Sequence, residues 1–427
     1  MNILILHSLS DSFVDYAHNI DHFQHDVVYV GTPERLATMP RDVPASRIER
    51  AAVGDPAAAV LAAVAGLAKP DIVIGLSELD IIPAAQVREA LGVPGATVHD
   101  VVPVRDKVVM KSAVAEAGIR IPRFAALGEA LRRPAPGLWT GRTVLKPLAG
   151  ASSKWTYTYP TLAAALEAVR QQQLPAPADE FEVEEFIDGP IMHVDGLLAD
   201  GRPLAVQASR YVGNCLDYAE GSALGSVQVD TTTELTEWTI RCLAAVGIRN
   251  GPFHLEAFET ADGPVFLEVG ARCGSRGTVD AFELAHGIRL PGAAVRLLVD
   301  GPAAIQGART PEPDECYGWF TFPGHLLGSR YCRITGEEVF RGDPLVRYWD
   351  QRRPDEPIKH AVSYSYANVP IGGLLGPAPT TALLNYLRRL FQEVRVVPHG
   401  PAVRSREPLD PTPPVEGPRT HVSRSPR

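Results

Sequence analysis

Apolar runs and amphipathic stretches alternate over the first hundred residues. The apolar runs are typical of strands and lie at Asn2–Leu6, Asp26–Val30 and Asp71–Leu76. One of the helical stretches between them, Pro56–Ala68, begins behind Asp55, because Asp suits the N-cap position and Pro the first turn of a helix. The pattern predicts a small α/β domain over residues 1–103.

This first domain lacks the glycine fingerprint of dinucleotide-binding sheets, since no GxGxxG follows its first strand. Ser77, Glu78 and Asp80 instead follow the third strand at its carboxyl end, where open α/β sheets bind ligands. Glu78 is therefore a candidate substrate residue, with a solvated loop acid as the alternative.

The middle of the chain, residues 104–300, mixes the two periodicities. Helical patterns cover Asp106–Ala117, Leu162–Gln172 and Thr233–Val246, and strand patterns cover Thr143–Lys146, Trp155–Tyr159, Phe181–Ile187, His193–Leu198 and Leu204–Ser209. Turn residues at 188–190 separate two of these strands, so we predict that Phe181–Ile187 pairs with His193–Leu198.

The pattern weakens after Gly301. Residues 301–397 predict a C-terminal lobe with short strands and one clear helix, Thr380–Phe391. Glycines at 372, 373 and 376 precede that helix and predict a tight turn, with a phosphate-binding helix start as the alternative. From Pro398 onward Pro, Arg, Ser and Glu dominate, so we predict a disordered tail over residues 398–427.

The most informative local pattern is FHLEAFETADGPVFLEVG, residues 253–270. Residues 261–263 have the composition of a three-residue hairpin loop, which places Thr260 opposite Pro264 and Glu256 opposite Glu268. Alternation predicts an apolar face with Phe253, Leu255, Ala257, Val265, Leu267 and Val269, and a second face with His254, Glu256, Phe258, Phe266, Glu268 and Gly270.

Glu256 and Glu268 are therefore expected side by side. Directly opposed acids destabilise a sheet unless they are solvated or bind a cation. A site with only a few oxygen ligands from the protein suits Mg²⁺, because this ion takes its other ligands from water and nucleotide phosphates. The two glutamates are candidate metal ligands, and an exposed hairpin with scattered acids is the alternative.

Composition and charge narrow the function classes. The 427 residues are 45% hydrophobic and 21% charged, as in ordinary globular proteins of two or three domains. The net charge of −9 and the absence of a basic run argue against a nucleic-acid binder. Five widely spaced cysteines without a CxxC pair disfavour a disulfide framework or zinc site. The first residues lack a basic region and a long apolar run, so we expect no signal peptide, no membrane anchor and a cytoplasmic location.

Groups suited to a bound nucleotide precede and follow the paired glutamates. They occur in the order Lys107, Lys146, the small-residue loop Gly150–Ser153, the acidic-aromatic stretch Glu184–Ile187, the glutamates and Arg272. This order, over Asp106–Thr278, resembles the ATP-grasp superfamily. The resemblance implies an ATP-grasp fold of mixed α/β and α+β class: an N-terminal Rossmann-like (pre-ATP-grasp) domain, central ATP-grasp subdomains with a lid near residues 140–190, and a C-terminal lobe.

The resemblance also implies which residues contact ATP. They are Lys107, Lys146, Gly150, Ser152, Ser153, Glu184, Glu185, Phe186 and Ile187. The lysines and the loop would serve the phosphates, and residues 184–187 would form the adenine hinge. Glu256 and Glu268 would hold Mg²⁺, for which Mn²⁺ can substitute, between phosphates.

Arginines near the second glutamate are the catalytic candidates. Arg272 is expected to clamp the transferred phosphoryl group or an acyl-phosphate oxygen. Arg276 is a second candidate for that role or for a substrate carboxylate, with a structural salt bridge as the alternative. His254 and Arg210 are candidate substrate residues. For His254 the alternatives are a satisfied histidine or support of Glu256, and for Arg210 an ordinary surface arginine.

Two positions depart from the common family pattern. Many members carry a metal-binding asparagine two residues after the second glutamate, and this chain has Gly270 there, which leaves the number of metal ions open. Many also carry an acid for the ribose hydroxyls seven residues after the first hinge glutamate, where this chain has Ile191. His193 or Asp195 is the expected substitute.

Members of the superfamily commonly make an acyl-phosphate from ATP and a carboxylate, which an amine then attacks. The run Glu268–Arg272 and the pair at 77–78 most resemble the L-amino acid ligase and peptide ligase subgroup. The resemblance thus implies an ADP-forming ligase of small-molecule carboxylates and amines, commonly a homodimer. Two alternatives stay open: a biotin-carboxylase-like enzyme that forms carboxyphosphate, and a nucleotide-binding regulatory protein without turnover.

Overall fold

The structure of the protein, a computed structural model, describes residues 1–132, 139–149, 153–171, 174–305, 307–312 and 314–402. Gly150 and Ser152 of the predicted phosphate loop lie outside these ranges, as do residues 403–427 of the predicted tail. The described residues form a parallel sheet at the N-terminus, a small antiparallel sheet, an eight-stranded antiparallel sheet and a two-stranded sheet. The predicted mixed architecture is confirmed.

The N-terminal domain is built on the parallel sheet, whose strand order is β3-β2-β1-β4. Its strands are β1 (Asn2–Leu6), β2 (Asp26–Gly31), β3 (Ser46–Glu49) and β4 (Ile72–Ile74), and its helices are α1 (Asp11–Val14), α2 (Tyr16–Asn19), α3 (Pro33–Leu36), α4 (Pro56–Ala63), α5 (Ile81–Leu91) and α6 (Val98–Val101). Strand β1 is apolar from Ile3 to Leu6 because it is covered on both faces: Ile5 packs near Tyr16 and Leu6 near Val60. The carboxyl ends of β1 and β4 are adjacent, which brings the loop after β1 beside Glu78.

A smaller antiparallel sheet follows, with the strand order β5-β8-β6-β7. Its strands are β5 (Phe124–Ala126), β6 (Thr143–Pro147), β7 (Tyr157–Tyr159) and β8 (Phe181–Glu185), and the neighbouring helices are α7 (Lys107–Glu116), α8 (Leu127–Arg132) and α9 (Leu162–Gln171). The predicted hairpin between Phe181–Ile187 and His193–Leu198 is wrong, because β8 pairs with β5 and β6. Phe181 and Val183 pack with Leu145 in the core of this sheet, so residues 188–190 connect two sheets.

The large sheet has the order β13-β12-β9-β10-β11-β14-β17-β16, and β15 and β18 form the separate pair. These strands are β9 (Ile191–Ala199), β10 (Arg202–Val212), β11 (Leu224–Gln228), β12 (Gly251–Thr260), β13 (Gly263–Gly270), β14 (Cys316–Phe322), β15 (Ser329–Thr335), β16 (Val346–Gln351), β17 (Ile371–Ala378) and β18 (Arg395–Ala402). The helices are α10 (Cys215–Ala219), α11 (Thr233–Ala245), α12 (Arg276–His286), α13 (Leu290–Asp300), α14 (Glu338–Arg341) and α15 (Thr380–Glu393). Strands after residue 301 thus extend the sheet that carries the glutamate hairpin.

Two expectations for the C-terminal region need correction. Gly372, Gly373 and Gly376 lie within strand β17 and form no turn before the helix. A side chain at Gly373 would come within 2.5 Å of the Tyr348 carbonyl oxygen, so glycine permits this close strand packing. Residues 398–402 belong to β18, which pairs with β15, so the predicted tail cannot begin at Pro398.

The described part of the chain contains no helix that combines the length and the apolar character needed to cross a membrane.

Candidate functional site

The hairpin of β12 and β13 places Glu256 directly opposite Glu268, as the sequence predicts. Closer to the turn the register differs, because Thr260 pairs with Gly263 and the loop has only two residues. A bulge between Glu256 and Ala257 takes up the difference of one residue. The two carboxylates are therefore neighbours despite the wrong prediction for the turn.

The bulge also changes which side chains share a face. Leu267 is the extra residue, and it lines a cavity together with Glu268. Phe266 turns into the core and packs in the same cluster as Phe253 and Leu255. The expected faces of Phe266 and Leu267 are thus reversed, because a slip of one residue inverts a strand.

The two glutamates lie where two cavities meet. The first, which we call the lid cavity, has a volume of about 680 Å³ and lies between the small sheet and the large sheet. The second, the lobe cavity, has a volume of about 880 Å³ and lies between the N-terminal domain and strands of the large sheet. The residues that line both cavities are Ser153, Tyr211, Cys215, Glu256 and Glu268.

The two carboxylates have different partners. Glu268 Oε2 lies 3.2 Å from Lys107 Nζ. Burial alone would raise the pKa of Glu268, but the charges of Lys107 and Lys146 hold it at about 2, so this carboxylate is ionised at neutral pH. Glu256 Oε1 accepts a hydrogen bond from the Tyr211 hydroxyl at 2.8 Å. Two carboxylates at the junction of two cavities offer the oxygen-only donor chemistry that fits Mg²⁺.

Beside the lid cavity, four buried residues form what we call the lysine cluster: Lys111, Lys146, Glu182 and Glu184. Lys146 Nζ lies 2.6 Å from Glu184 Oε1, and Lys111 Nζ lies 2.7 Å from Glu182 Oε1 and also contacts Glu184. Burial opposes the charge of Lys146, but the carboxylates of Glu184 and Glu182 outweigh it and raise its pKa. Lys146 therefore enters the cavity as a cation.

The lysine cluster adds two residues to the site. The Glu184 side chain binds lysines in the interior, which leaves the backbone of this residue for the predicted adenine hinge, and Glu184 lines the lid cavity. Lys111 and Glu182 were not predicted as part of the site. Their spacing carries a signal, since Lys111 follows Lys107 by one helical turn and Glu182 shares a strand face with Glu184.

The rest of the expected hinge lines the lid cavity. Glu185 Oε2 lies 3.0 Å from Arg123 Nε at its edge. The Arg142 guanidinium stacks 3.6 Å from the centre of the Phe186 ring, and the Phe186 N–H donates to the Arg142 carbonyl. Phe186 and Ile187 thus form an apolar wall, and Arg142 was not predicted as part of the site.

At the lobe cavity, three residues form what we call the arginine cluster: Arg105, Glu78 and Arg272. Arg272 Nε lies 2.5 Å from Glu78 Oε2, and Arg105 contacts Glu78 Oε1. Arg105 also donates to the Ala149 carbonyl at 3.1 Å, at the stem of the predicted phosphate loop. Both oxygens of Glu78 are therefore engaged, and the cluster presents a net positive charge. No periodic pattern could have identified Arg105.

The structure explains why glycine occupies position 270. Gly270 lies opposite His254 in the hairpin, and a side chain there would come within 3.0 Å of Glu78 Oε2 and 3.2 Å of Arg272 Cγ. Glycine at this position leaves room for the Glu78–Arg272 pair, so the departure from the family's asparagine makes space for the arginine cluster.

His193 and Asp195 do not lie in the lid cavity, which corrects the expected ribose contact. His193 is 1% exposed, and its ring nitrogens lie 2.5 Å from Asp195 Oδ2 and 2.7 Å from Ser226 Oγ.

His254 is held by the same aspartate, because Asp195 Oδ1 also accepts a hydrogen bond from His254 Nδ1 at 2.8 Å. Burial alone would lower the pKa of His254, but Asp195 outweighs it and raises the pKa to about 9. His254 lines the lobe cavity, and its Nε2 lies 3.4 Å from Glu256 Oε1.

The two remaining arginine candidates differ. Arg210 forms a two-point pair with Glu259, at 3.0 and 2.6 Å, and lines neither cavity, so it is not a substrate residue in this structure. Arg276 lines the lobe cavity, where its Nη1 donates to the Ser12 carbonyl at 3.3 Å and its Nε lies 3.6 Å from Asp280.

Sequence comparison identifies a domain and partial relatives. Residues 142–280 match the family described as the ATP-grasp domain. Dapdiamide A synthase of Enterobacter agglomerans is 27% identical over 178 residues, 39% of this chain and 42% of that protein. An L-arginine-specific L-amino acid ligase of Bacillus subtilis is 26% identical over 235 residues, 52% of this chain and 55% of that protein. The matches span about half the length of these relatives.

Solved structures show the same fold over nearly the whole chain. An L-amino acid ligase from Bacillus licheniformis superposes with a TM-score of 0.70 at 19% identity, covering 93% of this chain and 99% of that one. A phosphoribosylglycinamide synthetase from Anaerococcus prevotii reaches 0.63 at 12% identity, with 93% and 99% coverage. The matched segment contains Glu256, Glu268 and Arg272. The chain therefore contains an ATP-grasp domain and has the ATP-grasp fold.

Proposed function

We propose that the protein is an ATP- and Mg²⁺-dependent carboxylate–amine ligase that releases ADP and phosphate. The observation that carries the proposal is the junction at Glu256 and Glu268. Phosphoryl transfer needs the γ-phosphate and its acceptor in line, with cations around the transferred group. A lysine-lined cavity on one side and an arginine-lined cavity on the other support this arrangement.

In this proposal the lid cavity binds ATP. Lys107 and Lys146 supply positive charge for the phosphates, and Phe186 and Ile187 supply the apolar wall for adenine. Glu256 and Glu268 would hold the divalent ion, for which Mn²⁺ can substitute, and when bound the ion would neutralise charge on the phosphate oxygens.

The lobe cavity binds the carboxylate. Arg272 and Arg276 line it, and the net positive arginine cluster suits an anion. A volume of about 880 Å³ lies in the range of pockets for drug-sized molecules and far exceeds what bicarbonate needs. This favours an organic acid over the carboxyphosphate alternative.

The chemistry then proceeds in two displacements. A carboxylate oxygen attacks the γ-phosphorus while the bond to the ADP oxygen breaks, which gives an acyl-phosphate. The amine nitrogen then attacks the acyl carbon, phosphate leaves, and the nitrogen loses its proton to give the amide. Arg272 stabilises charge on the reacting oxygens. No side-chain nucleophile is required, and burial raises the pKa of the Cys215 and Cys273 thiols, which keeps them neutral in the lobe cavity.

Amino acids are the proposed substrate class. The two partial relatives are named as a dapdiamide A synthase and an L-arginine-specific L-amino acid ligase, which supports an amino acid as at least one substrate. The five cysteines lie within the described residues as free thiols, which suits the proposed cytoplasmic location. A homodimer stays a prediction.

The test is product analysis. Purified protein would be incubated with ATP, Mg²⁺ and pairs drawn from the amino acids and simple carboxylic acids. We expect ADP and phosphate only with particular pairs, together with a condensed product found by mass spectrometry. Glu268→Gln serves as the inactive control. Formation of AMP, or nucleotide binding without turnover across all pairs, would reject the proposal.

A further inference from the structure

A continuous chain of buried polar side chains lies behind Glu256. Its links are Ser226 Oγ to His193 Nε2 at 2.7 Å, His193 Nδ1 to Asp195 Oδ2 at 2.5 Å, Asp195 Oδ1 to His254 Nδ1 at 2.8 Å, and His254 Nε2 to Glu256 Oε1 at 3.4 Å. We propose that His254, held by Asp195 and His193, is a positioning residue that keeps Glu256 Oε1 engaged and leaves its other oxygen for the divalent ion. The inference rests on the proposed function, since it assigns the support of the same site.

The sheet itself aligns this network. In the pairing of β9 with β12, Asp195 lies opposite His254 and His193 lies opposite Glu256. Cross-strand neighbours on one face are held about 5 Å apart by the main-chain ladder. The four groups therefore owe their positions to two central strands, and they do not depend on a mobile loop.

The network is also enclosed. Ser226, His193 and Asp195 are each 1% exposed and His254 is 7% exposed. Buried polar groups of this kind cost stability unless each is satisfied, and a satisfied network is rigid. Every member of the chain has a partner at hydrogen-bonding distance along the series, so a rigid support for Glu256 results.

A second donor acts on the same oxygen. The Tyr211 hydroxyl donates to Glu256 Oε1, and the Tyr211 ring lies 4.6 Å from the His193 ring, so Tyr211 packs against the network. Glu268 is paired with a different kind of group, since its Oε2 lies 3.2 Å from Lys107 Nζ, a point charge at the end of an unbranched side chain. Glu256 is thus held by a histidine and a tyrosine, whereas Glu268 faces a lysine.

The test measures metal affinity in the full-length chain. Mn²⁺ would be titrated by electron paramagnetic resonance with the protein saturated by a non-hydrolysable ATP analogue, with the analogue alone as the blank. Asp195→Asn and His254→Gln should weaken Mn²⁺ binding by about 10- to 100-fold, the usual effect of removing a residue that orients a metal ligand. Affinity for the analogue without metal should stay within about twofold.

The matched control is His22→Gln, which alters a buried histidine of the N-terminal domain that hydrogen-bonds to Tyr29. It should lower the unfolding temperature without changing Mn²⁺ affinity. If Asp195→Asn does not fold, Ser226→Ala at the far end of the network should still weaken Mn²⁺ binding, by a smaller factor. Unchanged Mn²⁺ affinity in folded Asp195→Asn and His254→Gln proteins would overturn the inference, as would a wild-type protein that binds no Mn²⁺. Normal Mn²⁺ binding without ligation of any substrate pair would reject the proposed function and leave this inference standing.

Discussion

The lysine cluster and the arginine cluster contain similar groups but are built differently. The lysine cluster has two cations and two carboxylates, with the Lys111 side chain fully buried and that of Lys146 8% exposed. The arginine cluster has two cations and one carboxylate, and the Arg272 side chain is 27% exposed toward the lobe cavity. The lysine cluster has equal numbers of cations and carboxylates and reaches the lid cavity through Lys146 and Glu184, whereas the arginine cluster has one excess cation and opens to the lobe cavity.

From this difference we expect the lysine cluster mainly to stabilise the fold and the arginine cluster mainly to bind the substrate. A balanced buried cluster joins helix α7 to strands β6 and β8, so its loss should first affect folding. A cluster with one more cation than carboxylate at a cavity wall attracts an anionic group, so its loss should first affect turnover. Each prediction below tests one side of this comparison.

The largest effect is expected for Lys111→Met. This change leaves Glu182 and Glu184 buried with one cation between them, and breaking a buried ion pair typically costs about 3–5 kcal/mol. The measurement is the free energy of unfolding in urea. Adding Glu182→Gln to the same chain should recover part of the loss. A loss of less than about 1 kcal/mol would show that the cluster is not balanced in the way described.

Arg272→Met should spare stability and reduce kcat/KM by about 10²- to 10³-fold, equivalent to about 3–4 kcal/mol, because a donor to the reacting oxygens is lost. The measurement is substrate-dependent ADP release. Arg210→Met is the control, since Arg210 pairs with Glu259 outside both cavities and should keep full activity. Intact ADP release in Arg272→Met would contradict the catalytic role.

Glu78→Gln should reduce kcat/KM by about tenfold, because a neutral amide cannot hold both Arg105 and Arg272 by charge-assisted hydrogen bonds. The loss should appear mainly in the KM for the carboxylate substrate. The matched variant Glu259→Gln should leave this KM unchanged. An equal effect of both variants would show that the arginine cluster has no special relation to the substrate.

The smallest effect is expected for the contribution of Glu268 to folding stability, which depends on pH. Its pKa is about 2 in the folded protein and 4.5 for an unperturbed glutamate. Because the folded pKa is the lower one, the stabilisation is present in full above pH 4.5 and is lost as the pH falls through about 2. The side chain is 35% exposed, so solvent screening limits the contribution to about 1 kcal/mol.

The corresponding measurement compares wild type with Glu268→Gln in metal-free buffer. The difference in unfolding free energy should be about 1 kcal/mol at pH 7 and smaller at pH 3. A difference that grows on acidification would mean that Lys107 and Lys146 do not hold this carboxylate in its ionised form.

Local patterns were enough to predict part of the secondary structure, although the glycines of β17 were predicted as a turn. The helix that begins after Asp106 and strand β1 follow from caps and apolar runs within the same few residues. The predicted pairing of Glu256 with Glu268 is correct because the bulge offsets the one-residue error in the predicted loop. The bulge was missed, since the same letters fit a three-residue loop as well as a two-residue loop with one extra residue.

Partners distant in sequence could not be predicted. Strand β8 pairs with β5 and β6 because of side chains packed in the small sheet, and turn residues at 188–190 gave the opposite indication. The partner of Glu78, Arg272, lies 194 positions away in sequence. His193 was assigned to the nucleotide because the sequence does not show that Ser226 and Asp195 satisfy both of its nitrogens. The resemblance to the ATP-grasp superfamily was enough to predict a nucleotide site, but contacts between residues distant in sequence determine which side chains line it.

The most direct test of the central claim follows oxygen atoms. Once a substrate pair is found, the carboxylate would be labelled with ¹⁸O and the released phosphate analysed by mass spectrometry. If the carboxylate in the lobe cavity attacks ATP bound in the lid cavity, at the junction formed by Glu256 and Glu268, the products are ADP and inorganic phosphate, and the phosphate contains one labelled oxygen. Unlabelled phosphate, or pyrophosphate with AMP, would contradict the transfer between the two cavities.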